Sequence, residues 1–157
     1  MRTVSMEFTA NEICAILEGI KTQMRYIINP QPRIVLSCYG DGSIETNQIF
    51  RHGDQRLHCK VKPGDKILVR EKVDYTKDKN TDLKKSNKGC NSKIQLEVVS
   101  VWAEQLLDIS SHDANCEGCT EVGTHPRADF LAAWEQKHGY SSAASNPWVW
   151  VIEFRVS

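Results

Sequence analysis

Two cysteines separated by two positions, Cys116 and Cys119, suggest metal chemistry most directly, with His112 before them and His125 after them. Thiolate sulfur and imidazole nitrogen are the usual ligands of structural zinc, and a Cys-x-x-Cys commonly forms half of such a site. A closed structural site takes four ligands, and the chain holds no second Cys-x-x-Cys. The two cysteines are therefore candidates for half a site only, and we predict that the protein uses no metal or other cofactor.

Local charge is the second feature with chemical meaning. The chain carries 20 Lys and Arg against 20 Asp and Glu, so bulk positive charge cannot drive nucleic-acid binding. Two local sources remain. Lys21 and Arg25 follow a predicted helix end, where cations either cap the helix dipole or bind an anion. Residues 76–93 hold six lysines and two aspartates, a local charge of +4, which suits an exposed insertion or an arm that follows phosphates.

The start of the chain and its apolar content bear on location. Met1 to Glu7 lacks the apolar run of a secretory signal. Because the cytosol keeps thiols reduced, we expect no disulfide framework among the six cysteines. No stretch approaches the ~20 apolar residues of a membrane span. The sequence predicts a cytoplasmic protein that does not contact a membrane.

The elements that would position these residues are predicted from the spacing of apolar residues and from the capping and turn residues between them. Thr9 and Glu12 form a capping box that opens a helix, and Gly19 ends it. Further helices are predicted at 110–117 and 127–137, and strands at 33–38, 47–51, 56–61, 66–71, 94–101 and 147–156. The last strand is apolar on both faces, which suits the interior of a sheet. We predict one α+β domain over 1–157, a small and mostly antiparallel β-barrel with about three flanking helices and a flexible lysine-rich insertion at about 72–93.

Four blocks of the sequence occur in a familiar order. They are Glu18-Gly19-Ile20-Lys21-Thr22-Gln23 with Arg25 and Pro30-Gln31-Pro32, then Pro63-Gly64-Asp65 with Leu68-Val69-Arg70-Glu71, then Asp113-Ala114-Asn115-Cys116-Glu117-Gly118, and finally Asn146-Pro147-Trp148-Val149-Trp150-Val151-Ile152-Glu153-Phe154. Together they resemble the ASCH domain family of the PUA-like superfamily, especially its phage and prophage branch. The resemblance implies a PUA-like barrel with a cleft where the first block meets the third. It also implies RNA binding, or hydrolysis as in some members.

One branch of that family resembles amidohydrolases that remove the acetyl group of N4-acetylcytidine. The resemblance matches Lys21 to the catalytic lysine of that branch and Glu117 to its catalytic glutamate. The third member is a threonine, and Met24 occupies its position, while Tyr26 stands where an arginine is usual. A thioether has no proton to lose and cannot be the nucleophile, which argues against deacetylation. Either Thr22 substitutes as the third catalytic residue, or Lys21 activates a water.

Two functions from different classes follow, and we favour the first. An RNA- or nucleotide-binding module would use Lys21, Arg25 and Arg70 to hold phosphate and Tyr26 to stack on a base. Arg70 could instead pair with neighbouring carboxylates, and Tyr26 could be a half-buried strand residue.

The alternative is a hydrolase with Lys21 and Glu117 at its centre, acting on a modified nucleoside or on RNA. A ribonuclease needs an acid and base pair at the scissile phosphate. His52 and His58 are the histidines of the predicted barrel segment, and we expect them at the surface. A phage-encoded protein could also bind a host protein, although no residue indicates it.

Overall fold

The computed structural model describes residues 1–38, 47–72, 94–119 and 125–157. Apart from Lys72, the predicted lysine-rich insertion lies outside these ranges. The described strands are Thr3–Phe8 (β1), Gln23–Ile27 (β2), Ile34–Cys38 (β3), Asn47–His52 (β4), Gln55–Arg56 (β5), Lys66–Glu71 (β6), Gln95–Gln105 (β7) and Trp148–Val156 (β8). The helices are Ala10–Leu17 (α1), Ser111–Cys116 (α2) and Pro126–His138 (α3), and a single 3-10 turn spans Leu106–Asp108.

The described strands form two sheets. The larger has the order β1-β6-β7-β8-β2, and the smaller has the order β3-β4-β5. Only the β1 and β6 pair among the described ladders is parallel. The prediction of a mostly antiparallel α+β fold with three helices is therefore confirmed. The prediction of a closed barrel is wrong for the described residues, because β1 and β2 lie at opposite edges of the larger sheet and form no ladder with each other.

Apolar side chains cover both faces of the larger sheet. On one face, Ile13 and Ile16 of α1 pack in a cluster with Ile152 and Phe154 of β8. On the other face, side chains of β8, α2 and α3 form a second cluster, which includes Val149, Val151, Ala114, Phe130 and Trp134. This arrangement confirms the prediction for β8, which lies between β7 and β2 and buries side chains on both of its faces.

The first helix begins and ends as the sequence predicts. The Thr9 hydroxyl accepts a hydrogen bond from the N–H of Glu12 at 3.2 Å, and the Glu12 carboxylate accepts one from the N–H of Thr9 at 2.8 Å. Two reciprocal bonds of this kind satisfy N–H groups that a helix cannot pair internally. The box thus fixes where α1 starts, and the turn that follows the helix leads into β2.

Three strands differ from the predictions. No strand is predicted at 3–8 or at 23–27, where β1 and β2 form, and only Arg56 of the predicted strand at 56–61 lies in a strand. Leu57 and Val61 are buried while His58 and Lys60 are exposed, so the alternating pattern is present without a ladder. The segment instead lies as irregular chain over the apolar clusters, where Leu57 and Val61 pack.

Candidate functional site

Lys21 is positioned by a tight turn after α1. Gly19 has a φ of 75°, a conformation that glycine adopts without strain. The N–H groups of Ile20 and Lys21 both bond to the carbonyl oxygen of Ala15, at 2.9 and 3.0 Å. The turn carries the chain into β2 and leaves Lys21 only 5% exposed.

Glu117 stands at the C-terminal end of α2. The hydroxyl of Ser110 accepts a hydrogen bond from the N–H of Asp113 at 3.0 Å and starts that helix, and the N–H of Glu117 bonds to the Asp113 carbonyl at 3.0 Å where it ends. Gly118 follows with a φ of 102°, and a Cβ on it would lie 3.6 Å from the Cβ of Lys21. A glycine here therefore lets the end of α2 turn close against Lys21.

Lys21 and Glu117, 96 residues apart in the chain, are in direct contact. The Lys21 Nζ donates to Oε2 of Glu117 at 3.0 Å and to its main-chain oxygen at 3.0 Å. The side chains are 5% and 6% exposed, so the pair is buried. As an ammonium, Nζ has three N–H donors. Two of them bond to Glu117, and within the described residues the third has no protein acceptor.

Arg25 joins the same carboxylate from the other side. Its side chain is 0% exposed, and Nη1 donates to Oε1 of Glu117 at 2.6 Å. Nη1 also donates to Oε1 of Gln23 at 3.2 Å, while Nε and Nη2 donate to Oε1 of Glu104 at 3.2 and 2.7 Å. Asp113 adds a carboxylate oxygen 3.8 Å from Nη2. Four of the five guanidinium N–H donors are thus engaged, and both carboxylate oxygens of Glu117 are fixed.

Lys21, Arg25 and Glu117 line a cavity of about 220 Å³. Charged and aromatic side chains are both among its lining residues, which include Lys21, Arg25, Glu117, Tyr26, Phe130 and Trp134. The Cζ of Arg25 lies 5.7 Å from the ring centroid of Phe130, so the ionic network contacts one of the aromatic residues.

The cavity is electrically balanced. Three carboxylates (Glu7, Glu12 and Glu117) and three cationic side chains (Lys21, Arg25 and Lys137) are among its lining residues. The two cations closest to Glu117 are neutralised by it and by Glu104. An anion such as phosphate would have to compete with these carboxylates. The arrangement suits an uncharged ligand better.

Burial and neighbouring carboxylates keep two other cavity groups protonated. Burial raises the pKa of Tyr26 to about 12, and Glu12 and Glu117 act in the same direction. The Tyr26 hydroxyl lies 3.5 Å from the sulfur of Met6. Burial also raises the pKa of the Cys119 thiol, as does Glu117. A thiolate is the reactive form of cysteine, so Cys119 is poorly suited to be a nucleophile here.

The structure brings together some of the predicted site residues and separates others. Lys21, Arg25, Tyr26 and Glu117 all line the cavity, and so does Met24, which is 4% exposed. No hydroxyl stands at position 24.

Four other candidates have no place in the cavity lining. Thr22 is absent from it, and its main-chain groups bond to Cys116 and Phe154. Arg70 is exposed on β6, directly opposite Glu7 of β1, and forms no ion pair with a described carboxylate. His52 bonds to the Gln31 carbonyl at 2.9 Å, and His58 is exposed.

Arg25, which the sequence analysis expects at a phosphate, lies in a network of carboxylates. Its guanidinium is wholly buried and bonded to carboxylates, so it holds Glu117 in position instead of facing solvent. Glu104, Gln23 and Phe130 complete this network, and the sequence analysis missed all three. Alternating polar residues at 21, 23 and 25 gave a signal for Gln23, whereas nothing local marks Glu104.

The two candidate zinc ligands do not gather a metal site in the described part of the chain. The sulfur of Cys116 lies 3.8 Å from Nε2 of His112. Among the described residues, no group of three or more histidine, cysteine or acidic side chains could hold a metal ion. Cys119 lines the cavity instead.

None of the described helices combines the length and the apolar character that crossing a bilayer requires.

Two solved structures are similar to this chain. The hypothetical protein PH0355 matches with a TM-score of 0.51 at 11% identity, over 100% of both chains. An ASCH domain from Lactobacillus crispatus JV V101 matches with a TM-score of 0.49 at 14% identity, over 99% of this chain and 79% of that one. No protein-family model matches the chain, and the search of curated proteins gives no match. The likeness to PH0355 concerns the fold alone, and it shows that this α+β arrangement occurs in a solved structure.

Proposed function

We propose that this protein is an ASCH-type domain that binds a base-bearing ligand, a nucleoside or a nucleotide residue of RNA, in the cavity beside Lys21 and Glu117. The observation that carries the proposal is the direct contact of these two residues in the cavity wall. It is what the sequence resemblance implies for the first and third blocks. Membership of the phage and prophage branch rests on the sequence resemblance only.

The make-up of the cavity supports a flat, uncharged ring as the part of the ligand that enters. Aromatic side chains offer stacking surfaces, and Tyr26 lies among them. The third N–H of Lys21 Nζ can donate to a ring nitrogen or a carbonyl oxygen. The volume lies below the range of about 300–1,000 Å³ that is usual for drug-sized ligands, so a base with part of its sugar suits the space. Phosphates would remain outside the cavity, away from the carboxylates that pair with Lys21 and Arg25.

Amide hydrolysis is the second candidate, and the shared hydrogen bond of Lys21 and Glu117 favours it. In this scheme the Glu117 carboxylate takes a proton from a water molecule while the oxygen of that water bonds to the amide carbon. The Lys21 ammonium gives a proton to the departing nitrogen as the carbon–nitrogen bond breaks. Proton exchange across the 3.0 Å contact then restores both side chains. Met24 supplies no nucleophile, so water takes that role.

A nucleoside panel tests both candidates. Cytidine, N4-acetylcytidine, uridine and cytidine monophosphate are titrated into the protein by calorimetry, and the mixtures are then analysed by chromatography. Lys21→Met and Glu117→Gln should each weaken nucleoside binding at least tenfold, since each removes a polar contact at the cavity wall. Glu97→Gln is the matched control, because Glu97 belongs to an exposed ion pair with Arg155.

The outcomes separate the candidates. Binding without change of N4-acetylcytidine supports a binding module, and release of acetate that Glu117→Gln abolishes supports the hydrolase. No binding of any nucleoside at millimolar concentration would refute the proposed function. So would displacement of bound nucleoside by inorganic phosphate alone, since that result would make the site an anion site.

A further inference from the structure

Two arginines lie directly opposite each other in the smaller sheet. Arg51 of β4 is the register partner of Arg56 of β5, and both side chains are exposed. Residues that are directly opposite in an antiparallel pair share one face of the sheet, with Cβ atoms about 4.5–5.5 Å apart, and like charges there are destabilising. Asp54 lies in the connecting turn, yet neither arginine forms an ion pair with a described carboxylate. The pairing suggests that an external anion balances the charge.

The chain that follows Arg56 extends this charge toward the cavity. Between 56 and 61 burial alternates, with 57, 59 and 61 packed inward, while Arg56, His58 and Lys60 are exposed. The Nζ of Lys60 lies 5.2 Å from the ring centroid of Tyr26, and Tyr26 lines the cavity. Arg51, Arg56 and Lys60, with His58 between the last two, therefore form a basic stripe that runs from the smaller sheet to the cavity.

We propose that this basic stripe binds the phosphate backbone of a single-stranded nucleic acid, one of whose bases enters the cavity. The entry of a base into the cavity rests on the proposed function, whereas the binding of phosphates by the stripe does not. The carboxylate network leaves the cavity neutral, so the phosphates need cations elsewhere. The stripe supplies three cations that no described carboxylate neutralises, and it ends at an aromatic ring of the cavity. A ligand with phosphates at one end and a stacking base at the other fits both the basic stripe and the cavity.

The salt dependence of binding measures the number of phosphate contacts. For single strands, the slope of log K against log salt is about −0.7 for each contact. Three contacts give a slope of about −2.1, so affinity should fall about twentyfold between 50 and 200 mM salt. The double variant Arg51→Gln/Arg56→Gln keeps one contact, and its affinity should then fall only about threefold.

The experiment is fluorescence anisotropy with a labelled oligouridylate, and with a labelled oligodeoxyuridylate of the same length. Arg155→Gln is the matched control, because Arg155 is an arginine of β8 that is 68% exposed and lies outside the stripe. Circular dichroism checks that each variant is folded. Equal binding of both probes would show that the stripe contacts only the shared phosphate backbone. Tighter binding of oligouridylate would show that the ribose is also recognised.

Two results would overturn the proposal. One is a slope that is unchanged in the double variant, and the other is an equal loss of affinity in Arg155→Gln, which would indicate bulk charge. Failure of the proposed function looks different. In that case free nucleoside would fail to bind and Glu117→Gln would leave oligonucleotide affinity intact, while the dependence on Arg51 and Arg56 would persist.

Discussion

Replacing Glu117 by glutamine tests whether the buried ionic network is as closed as its geometry indicates. The substitution keeps the shape of the side chain and removes its charge. One amide oxygen then remains for two cationic donors, because the NH₂ group cannot accept a bond. Arg25 retains Glu104, whereas Lys21 has no other carboxylate within the described residues. A buried ammonium is left without its counter-charge.

The expected cost follows from burial. Both side chains are at most 6% exposed, and breaking a buried pair by removing one partner costs about 3–5 kcal/mol. That is a large share of the roughly 5–15 kcal/mol that stabilises a typical domain. With a urea m-value of about 2 kcal/mol/M, the unfolding midpoint should fall by about 1.5–2.5 M.

Urea unfolding followed by circular dichroism measures this shift. Glu97→Gln serves as the control, because its ion pair with Arg155 is 36% and 68% exposed and should contribute within about 1 kcal/mol. The double variant Lys21→Met/Glu117→Gln should lose less than the sum of the two single changes, since it leaves no unpaired ammonium. If Glu117→Gln moves the midpoint no further than the control, the network is solvated and our account of the site is wrong.

Three further changes test separate parts of the structure. Desolvation raises the pKa of Asp65, but two backbone N–H bonds lower it, and the net change is downward. The carboxylate therefore stabilises the fold above about pH 4, and this contribution is lost as the pH falls. The urea midpoint of Asp65→Asn should fall less steeply than that of the wild type below that pH. One of the four tyrosines should give tyrosinate absorbance near pH 12, because burial and then Glu12 and Glu117 raise the pKa of Tyr26, and this step should move to lower pH in Glu117→Gln; an unmoved titration would contradict this. Gly118→Ala should cost about 1–2 kcal/mol, since its φ of 102° strains any side chain, which thermal unfolding would register as a Tm roughly 2–8 °C lower.

The sequence predicts well those elements whose signals are local. The box at Thr9 and Glu12, the glycine at 19 and the two-sided apolar pattern of β8 each depend on residues a few positions apart, and the structure confirms them. β1 also has a local signal, since Val4, Met6 and Phe8 alternate with polar residues.

The features that were predicted wrongly depend on contacts between residues far apart in the sequence. The alternation at 56–61 predicts a strand, but whether a ladder forms depends on what lies beside the segment, and in the structure it packs over apolar clusters instead. Barrel closure depends in the same way on whether β1 and β2 meet, which no local pattern encodes.

In the candidate site, too, contacts between distant residues were not predicted from local sequence. The meeting of Lys21 and Glu117 was expected from the family resemblance alone, since 96 residues separate them. The pairing of Arg25 with carboxylates was not predicted, because its acceptor Glu104 lies on β7 and has no sequence signature. Charge in the sequence therefore overstated how cationic the cavity is.

The N–H of Thr22 donates to the carbonyl of Cys116 at 2.7 Å, and this bond joins the residue after Lys21 to the residue before Glu117 using main chain only. Side-chain substitutions at either position leave the bond in place. The spacing of positions 21 and 117 is therefore supported by the backbone, and side chains there can be exchanged without rebuilding that support. A scaffold of this kind can carry different chemical groups in the same cavity.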